Sequence, residues 1–313
     1  MEAAFDPDGS LSETYAVVVV HRGRLVYERY QGHLPRPDGP GRPVTTDTPL
    51  LSWSVAKSVL HAGVGVLVGE GGLDVERPAG VPLWQRPGDP RRTITLGQLL
   101  EMRDGLRFAE DYVDADRSDV IEMLFGRGRS DVAGFAADRP LATPPGTHFN
   151  YSSGTSNIVA GMVGRVVGAG DPTHAFLQRR LFGPIGMSSA RLTLDDAGTW
   201  VASSFLHATA RDYARFGLLY LRDGVWGGTR LLPEGWVDDG RRPRSRDPEG
   251  DRYGRHWWTA EEPSGRFWAA GHDGQYVDVV PALDLVVVRL GRTGADRSEE
   301  VKAWRRAVVG AFV

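Results

Sequence analysis

From Val55 to Val68 the chain is apolar on nearly every side of a helix: Val55, Val59, Leu60, Val64, Val66, Leu67 and Val68 leave no polar face. A helix patterned that way has to be surrounded by protein, so the rest of the chain must build layers around it. Gly71-Gly72 is its stop signal. Its start carries chemistry. Ser54-x-x-Lys57 opens it, and residues three apart share a helix face, so the hydroxyl and the amine can meet. An amine can help take the proton that an unassisted serine gives up poorly. The pattern is short and common, but composition sets this instance apart. Lysine occurs only at Lys57 and Lys302, and all other members of the 37 Lys+Arg are arginine. Arginine cannot deprotonate in a protein, whereas a buried lysine can. Gly63-x-Gly65-x-x-x-Gly69 invites a dinucleotide-binding reading, but these glycines fall inside the helix rather than in a strand-to-helix turn. Close helix packing is the expected reason for them.

The length of 313 residues, with 41% hydrophobic and 25% charged, describes a globular protein of one large domain or two. The net charge of -3 and the lack of a dense basic stripe argue against a nucleic-acid partner. Arg241, Arg242, Arg244 and Arg246 cluster, but Asp238, Asp239, Asp247 and Glu249 surround them, so a solvated loop is expected. No cysteine is present, which excludes a disulfide framework and a thiolate zinc site. Neither H-E-x-x-H, nor G-x-S-x-G, nor a P-loop lysine occurs. No cofactor or metal is expected. The first eight residues are acidic without an apolar run, and Val17–Val20 is far too short to cross a membrane. A cytoplasmic protein without a membrane partner is expected, its state as monomer or homodimer left open.

Ala16–Val20 and Leu25–Tyr30 predict a hairpin around His21-Arg22-Gly23-Arg24. Residues 35–43, crowded with Pro and Gly, predict an irregular excursion. Thr95-x-x-Gln98 reads as a capping box closed by Gly105, and Thr209-x-x-Asp212 as a second, its helix carrying Tyr213, Phe216, Gly217 and Tyr220 before Gly224. Residues 106–148 predict helical pieces and long loops, and Thr155–Val167 another apolar helix. Strand signals return at Arg266–Ala270, Gln275–Val280 and Asp284–Leu290, and a last helix starts near Asp296-x-x-Glu299 with the stripe Val301, Trp304, Val308 and Phe312. Strands at both ends with helices between predict a mixed α/β (α+β) fold. Residues 1–60 and 200–313 would form a discontinuous sheet domain and 61–199 a mainly helical one, with the active site between them.

Ser54-Val-Ala-Lys57, Tyr151-Ser-Ser153 and His272-Asp-Gly274 follow one another in the order of three motifs. In this the chain resembles the serine β-lactamase and penicillin-binding-protein superfamily. The tyrosine of the second motif is similar to class C β-lactamases and family VIII esterases. Tyr151-Ser-Ser-Gly-Thr-Ser-Asn157, Leu181-Phe-Gly-Pro-Ile-Gly-Met187, Ala208-Thr-Ala-Arg-Asp212 and Ala270-Gly-His-Asp-Gly-Gln275 resemble most the β-lactamase-related hydrolases that include 6-aminohexanoate-dimer hydrolases. The likeness runs from about residue 16 to 312. It implies a β-lactamase/transpeptidase-like fold, an antiparallel sheet flanked by helices. Two departures stand out. Many β-lactamases carry Asn where Ser153 stands, and Lys, which helps hold a substrate carboxylate, where His272 stands. A histidine near its unperturbed pKa is mostly neutral at pH 7, and a serine lacks the forked donor and acceptor of an amide. Both changes favour esters or amides without an obligatory carboxylate.

The resemblance implies roles. Ser54 would attack an acyl carbon, and Lys57 or a Tyr151 phenolate would accept its proton; three coupled groups leave that choice open. Tyr151 would pass a proton to the leaving group. The backbone N–H groups of Ser54 and Gln275 would form the oxyanion hole. Ser153, His272 and Gly274 would contact substrate, as would Tyr112, which resembles a loop tyrosine of the nylon-oligomer hydrolases. Asp114, Asp116 and Asp119 read as a solvated loop that could instead hold an amine, and Trp257, Trp258 and Trp268 could wall a cleft. The expectation is a serine hydrolase of small esters or amides. A β-lactamase or D-alanyl-peptidase is the alternative within enzymes, and a non-hydrolytic binding or sensor module is the alternative outside them.

Overall fold

The Val17–Val20 run lies inside β1 (Glu13–His21), which is buried along nearly its whole length. β1 turns through Arg22-Gly23, both at positive φ (51° and 71°), into β2 (Arg24–Tyr30). A two-residue turn of that hand suits the twist of a hairpin. The computed structural model, which describes all residues except 7, 8, 10, 37, 38, 115 and 116 and the side chain at position 40, supplies the other strands from the far end of the sequence. These are β3 (Ser245–Arg246), β4 (Arg252–Tyr253), β5 (Trp258–Thr259), β6 (Phe267–Gly271), β7 (Gln275–Val280) and β8 (Leu285–Arg292). All eight pair antiparallel in the order β3-β4-β5-β6-β7-β8-β1-β2. The sheet is therefore built from both ends of the sequence, as expected, and the β8–β1 pairing joins them, with Val18 opposite Val288 and Val20 opposite Val286.

Both faces of this sheet are covered, which is why β1 reads as a continuous valine run rather than an alternation. Ala16, Val18 and Val20 belong to the larger core, together with α1 (Val55–Gly69), α2 (Ser153–Val167) and α3 (Ala210–Leu221). α3 lies on β1, β7 and β8, and α1 lies between β6 and α2. Val17 and Val19 face the other way, under α4 (Ser298–Gly310), whose Val301 and Val308 are buried as the stripe predicts. The glycines of α1 are packing glycines. A Cβ at Gly65 would lie 2.5 Å from Trp236 Nε1, and one at Gly63 would lie 2.9 Å from Leu177 Cδ2.

α4 is also held by charge. Arg305 grips Asp278 of β7 with two bonds of 2.8 and 2.6 Å, both residues fully or nearly fully buried, and its guanidinium lies over the Tyr276 ring. Removing one partner of a buried pair leaves the other charge uncompensated. Arg305→Met is therefore expected to cost about 3 kcal/mol in urea unfolding. A loss below about 1 kcal/mol would mean that Arg266, at 3.7 Å, replaces it.

Several expectations need correction. Residues 35–43 are not irregular: His33–Arg36 pairs with Gly39–Pro43 as a small hairpin. Thr95 and Gln98 form the full reciprocal capping box, but Thr209 forms half of one. Its hydroxyl accepts from Asp212 N, while the Asp212 carboxylate is taken by Ser189 at 2.9 and 2.5 Å. By contrast, α4 starts at Ser298, near Asp296 as expected, after a single 3-10 turn. The arginine cluster is not simply solvated. Arg244 reaches inward to Glu101 at 2.8 Å and to Asp239, sharing both carboxylates with the buried Arg255.

Candidate active site

The segment that delivers Ser54 is braced on both sides. Leu50–Leu51 pairs with Leu206–Ala208, and Ser52 N donates to Leu206 O at 2.8 Å. Trp53 then takes a left-handed conformation (φ 44°), which a bulky residue adopts only under constraint. The chain turns there and α1 begins. Ser54 sits at the N-cap position, yet its hydroxyl does not cap the helix. It accepts from Lys57 Nζ at 2.9 Å instead. Ser54 N–H donates to no acceptor among the described residues, as is usual at a helix start. Gly271 of β6 lies directly against it, since a Cβ there would come within 3.1 Å of Ser54 N and collide with Ser52 O.

Lys57 is 1% exposed and has three partners: Ser54 Oγ, Ser153 Oγ at 3.0 Å and Ser203 O at 2.8 Å. Burial pulls its pKa from 10.5 down to about 8, partly opposed by the Glu110 carboxylate. The polarity of the partners decides what a neutral amine can do. Ser203 offers a carbonyl, which only accepts. Ser153 has one hydrogen, and that is given to Glu110 Oε1 at 2.6 Å. Only the Ser54 hydroxyl still has a proton to hand to Lys57. Glu110 thus sets the direction of the whole array, holding Ser153 N at 2.8 Å and Tyr112 OH at 2.7 Å as well.

Tyr151 closes the other side. It stacks on Trp258 (5.5 Å, 27°) and meets Tyr253 edge-on, with Lys57 Nζ 5.0 Å from its ring centre. Its hydroxyl interacts with Ser54, but burial first and then Glu110 push its pKa well above the usual phenol value. Among Ser54's neighbours, Lys57 therefore loses a proton long before Tyr151 does. His272 packs edge-on against Trp53 (5.3 Å) and stacks on Tyr112 (5.0 Å), and it is half-buried.

The other expected contacts divide. Ser153 is fully buried and links Lys57 to Glu110. Gly274 (φ 78°) serves the turn: a Cβ would collide with Arg289. Gln275 stands opposite Gly271 in the ladder, and its side-chain amide binds His272 O and both backbone groups of Gly291. Trp258 stacks on Tyr151, whereas Trp257 packs in the main core against Phe216 and Tyr220, and Trp268, directly opposite Trp258 in the ladder, packs in the second core with Val301 and Val308. Asp119 is engaged by Ala109 N and Arg139, and Asp114 lies 3.6 Å from Arg117. Asp116 falls outside the described residues.

Sequence reasoning missed four residues. Glu110 is one. Asn157 is another, its amide clamping Ser203 N at 3.0 Å and Ser203 Oγ at 3.2 Å so that the carbonyl faces Lys57. Ser203 is the third. His256 is the fourth, fully buried, with Nδ1 3.0 Å from Lys57 O and its pKa pulled by burial to about 3, so it stays neutral. One signal was available: Ser153, Ser156 and Asn157 are polar residues inside the buried start of α2. Replacing Glu110 by Gln removes the charge that raises Lys57's pKa and adds a donor that can reverse Ser153. The rate is expected to fall about 10- to 100-fold, with its acidic limb moved to lower pH. An unmoved limb in a pH–rate profile would deny Glu110 this part.

A family model described as Beta-lactamase matches residues 11–311. The chain belongs to the beta-lactamase family. This beta-lactamase family member is 31% identical over 261 residues to the 6-aminohexanoate-dimer hydrolase of Paenarthrobacter ureafaciens, a match covering 77% of this chain and 65% of that protein. It spans about two thirds of the length of the curated relatives it matches. Its fold is that of a family VIII carboxylesterase (TM-score 0.72, 17% identity, 92% of this chain and 90% of that one). It is also that of the octameric penicillin-binding protein homologue from Pyrococcus abyssi (TM-score 0.74, 19% identity, 95% and 73%). Among the described residues no helix is long and apolar enough to cross a membrane.

Proposed function

We propose that this beta-lactamase family member is a serine hydrolase that cleaves small esters or amides through an acyl-enzyme on Ser54. The observation that carries the proposal is the buried Lys57, 2.9 Å from Ser54 Oγ, with its pKa brought down to about 8. Neutral Lys57 takes the Ser54 proton as the oxygen attacks the acyl carbon. The Ser54 N–H and a second backbone N–H from the turn between Gly271 and Gln275, with Gln275 the residue favoured by the family likeness, hold the oxyanion. Tyr151, protonated because it is buried, donates to the leaving alcohol or amine and regains the proton by way of Lys57. Water then releases the acyl group by the same route in reverse. The sheet domain and the helical domain meet at this site. The likeness to the 6-aminohexanoate-dimer hydrolase brings linear amides into the substrate set beside esters.

The test is intact mass during turnover of p-nitrophenyl esters of several chain lengths, followed by peptide mapping. An acyl adduct on the peptide that contains Ser54 is the expected result. Linear amides and a chromogenic cephalosporin, run in parallel, separate an amidase and a β-lactamase from an esterase. No adduct with any acyl donor, nor with an acylating serine probe, would favour a non-hydrolytic binding module on the same fold.

A further inference from the structure

The turn that presents His272 rests on a buried arginine from the neighbouring strand. Asp273 and Gly274 are both left-handed (φ 60° and 78°), which turns their carbonyls toward β8. Arg289, fully buried in β8, donates through Nη1 to Gly274 O at 2.7 Å and to Asp273 O at 3.4 Å. Its other edge, through Nη2, reaches Leu11 O at 3.1 Å, Thr14 Oγ1 at 3.0 Å and Thr293 Oγ1 at 2.5 Å. Thr293 N binds Asp273 O as well, at 3.0 Å, and Gln275 Nε2 holds His272 O at 2.9 Å. All three carbonyls of the turn are therefore held from below. Gly274 and Gly291 leave the guanidinium its room: a Cβ at either would press on it.

Burying a guanidinium is costly, and its partners among the described residues are carbonyls and hydroxyls. Only a planar fork with donors on both edges spans from the turn to the segment at residues 11–14; a lysine is a single point of charge and cannot. No partner of Arg289 belongs to the Ser54–Lys57–Tyr151 array. What it holds instead is the piece of backbone that puts the His272 ring between Trp53 and Tyr112.

We propose that Arg289 is a positioning residue that acts on substrate binding through His272. Its kinetic readout rests on the hydrolase reading above; its spectroscopic readout does not. The experiment is a double-mutant cycle of Arg289→Met and His272→Ala with a p-nitrophenyl ester, alongside the His272 ring resonance, assigned by its absence in His272→Ala. Arg289→Met alone is expected to lower kcat/KM about 10- to 100-fold, mainly through KM, and to move the His272 resonance. In the His272→Ala background the same change should raise KM less than about twofold further, while a loss in kcat reports the Gly274–Gln275 peptide, whose carbonyl Arg289 also holds. Equal rises in KM in both backgrounds, or an unmoved resonance, overturn the proposal. Should Arg289→Met not fold, Arg289→Lys and Thr293→Val run through the same cycle with the same expected and excluding results. A wild type without any turnover would sink the hydrolase reading, and the resonance would still decide the role of Arg289.

Discussion

Ser54→Ala is expected to remove the acyl adduct altogether and to lower turnover on the order of 10^6-fold, the scale seen when a nucleophilic serine is taken from its base. The site predicts this loss without loss of fold. Ser54 Oγ accepts from Lys57 but caps no helix, so alanine removes no structural bond of α1. Lys57 keeps Ser153 and Ser203 O. Thermal unfolding should stay within about 0.5–1 kcal/mol of wild type. Intact mass and ester turnover, measured on the same folded sample, separate the two effects. An adduct that persists in the mutant would move the nucleophile elsewhere.

Lys57→Met is expected to lower kcat about 10^3- to 10^4-fold, as loss of a general base does. The pH dependence carries more information than the size. If neutral Lys57 is the base, the wild-type rate rises with pH and levels off near pH 8, and the mutant's residual rate lacks that limb. The same shift has a stability side. A lysine whose pKa is lowered on folding binds its proton more tightly in the unfolded chain. Below about pH 8 both states are protonated and pH changes nothing. Between about pH 8 and the unfolded value of 10.5 the unfolded chain holds more protons, so wild-type stability rises with pH relative to Lys57→Met. Urea midpoints at pH 7 and pH 10 check the sign. A flat difference would mean that Lys57 titrates normally.

The fold and the residues of the proposed site could be read for different reasons. The valine run, the apolar helix and the stripes of α3 and α4 are periodic signals, and periodicity survives in sequence. The proposed site residues Ser54, Lys57 and Tyr151 could be picked out because their motifs stand in a known order and lysine is rare in this chain. Glu110 could not. It belongs to an acidic stretch that looks solvated, and only the fold aims its carboxylate at Ser153. Arg244 misled for the opposite reason, because surrounding acids suggest a wet loop while its partner Glu101 lies 143 positions earlier. His256 and Asn157 act through the backbone carbonyls and amides of other segments, and such bonds leave no trace in residue spacing.

The pairing of β1 with β8 has a consequence in time. During synthesis the first hairpin and the helix bearing Ser54 leave the ribosome early, but the strand that flanks β1 on its other side is made more than 260 residues later. Until then β1 has an open edge, and neither β6, which shoulders Ser54, nor the turn carrying His272 exists. Closing so long a loop adds little to the free energy of the finished protein but delays the moment at which the structure becomes cooperative. The nascent chain therefore carries Ser54 without its later neighbours for most of its synthesis, with a valine-rich edge that calls for chaperone cover. The surroundings of Ser54 are completed only with those late strands, as a single event.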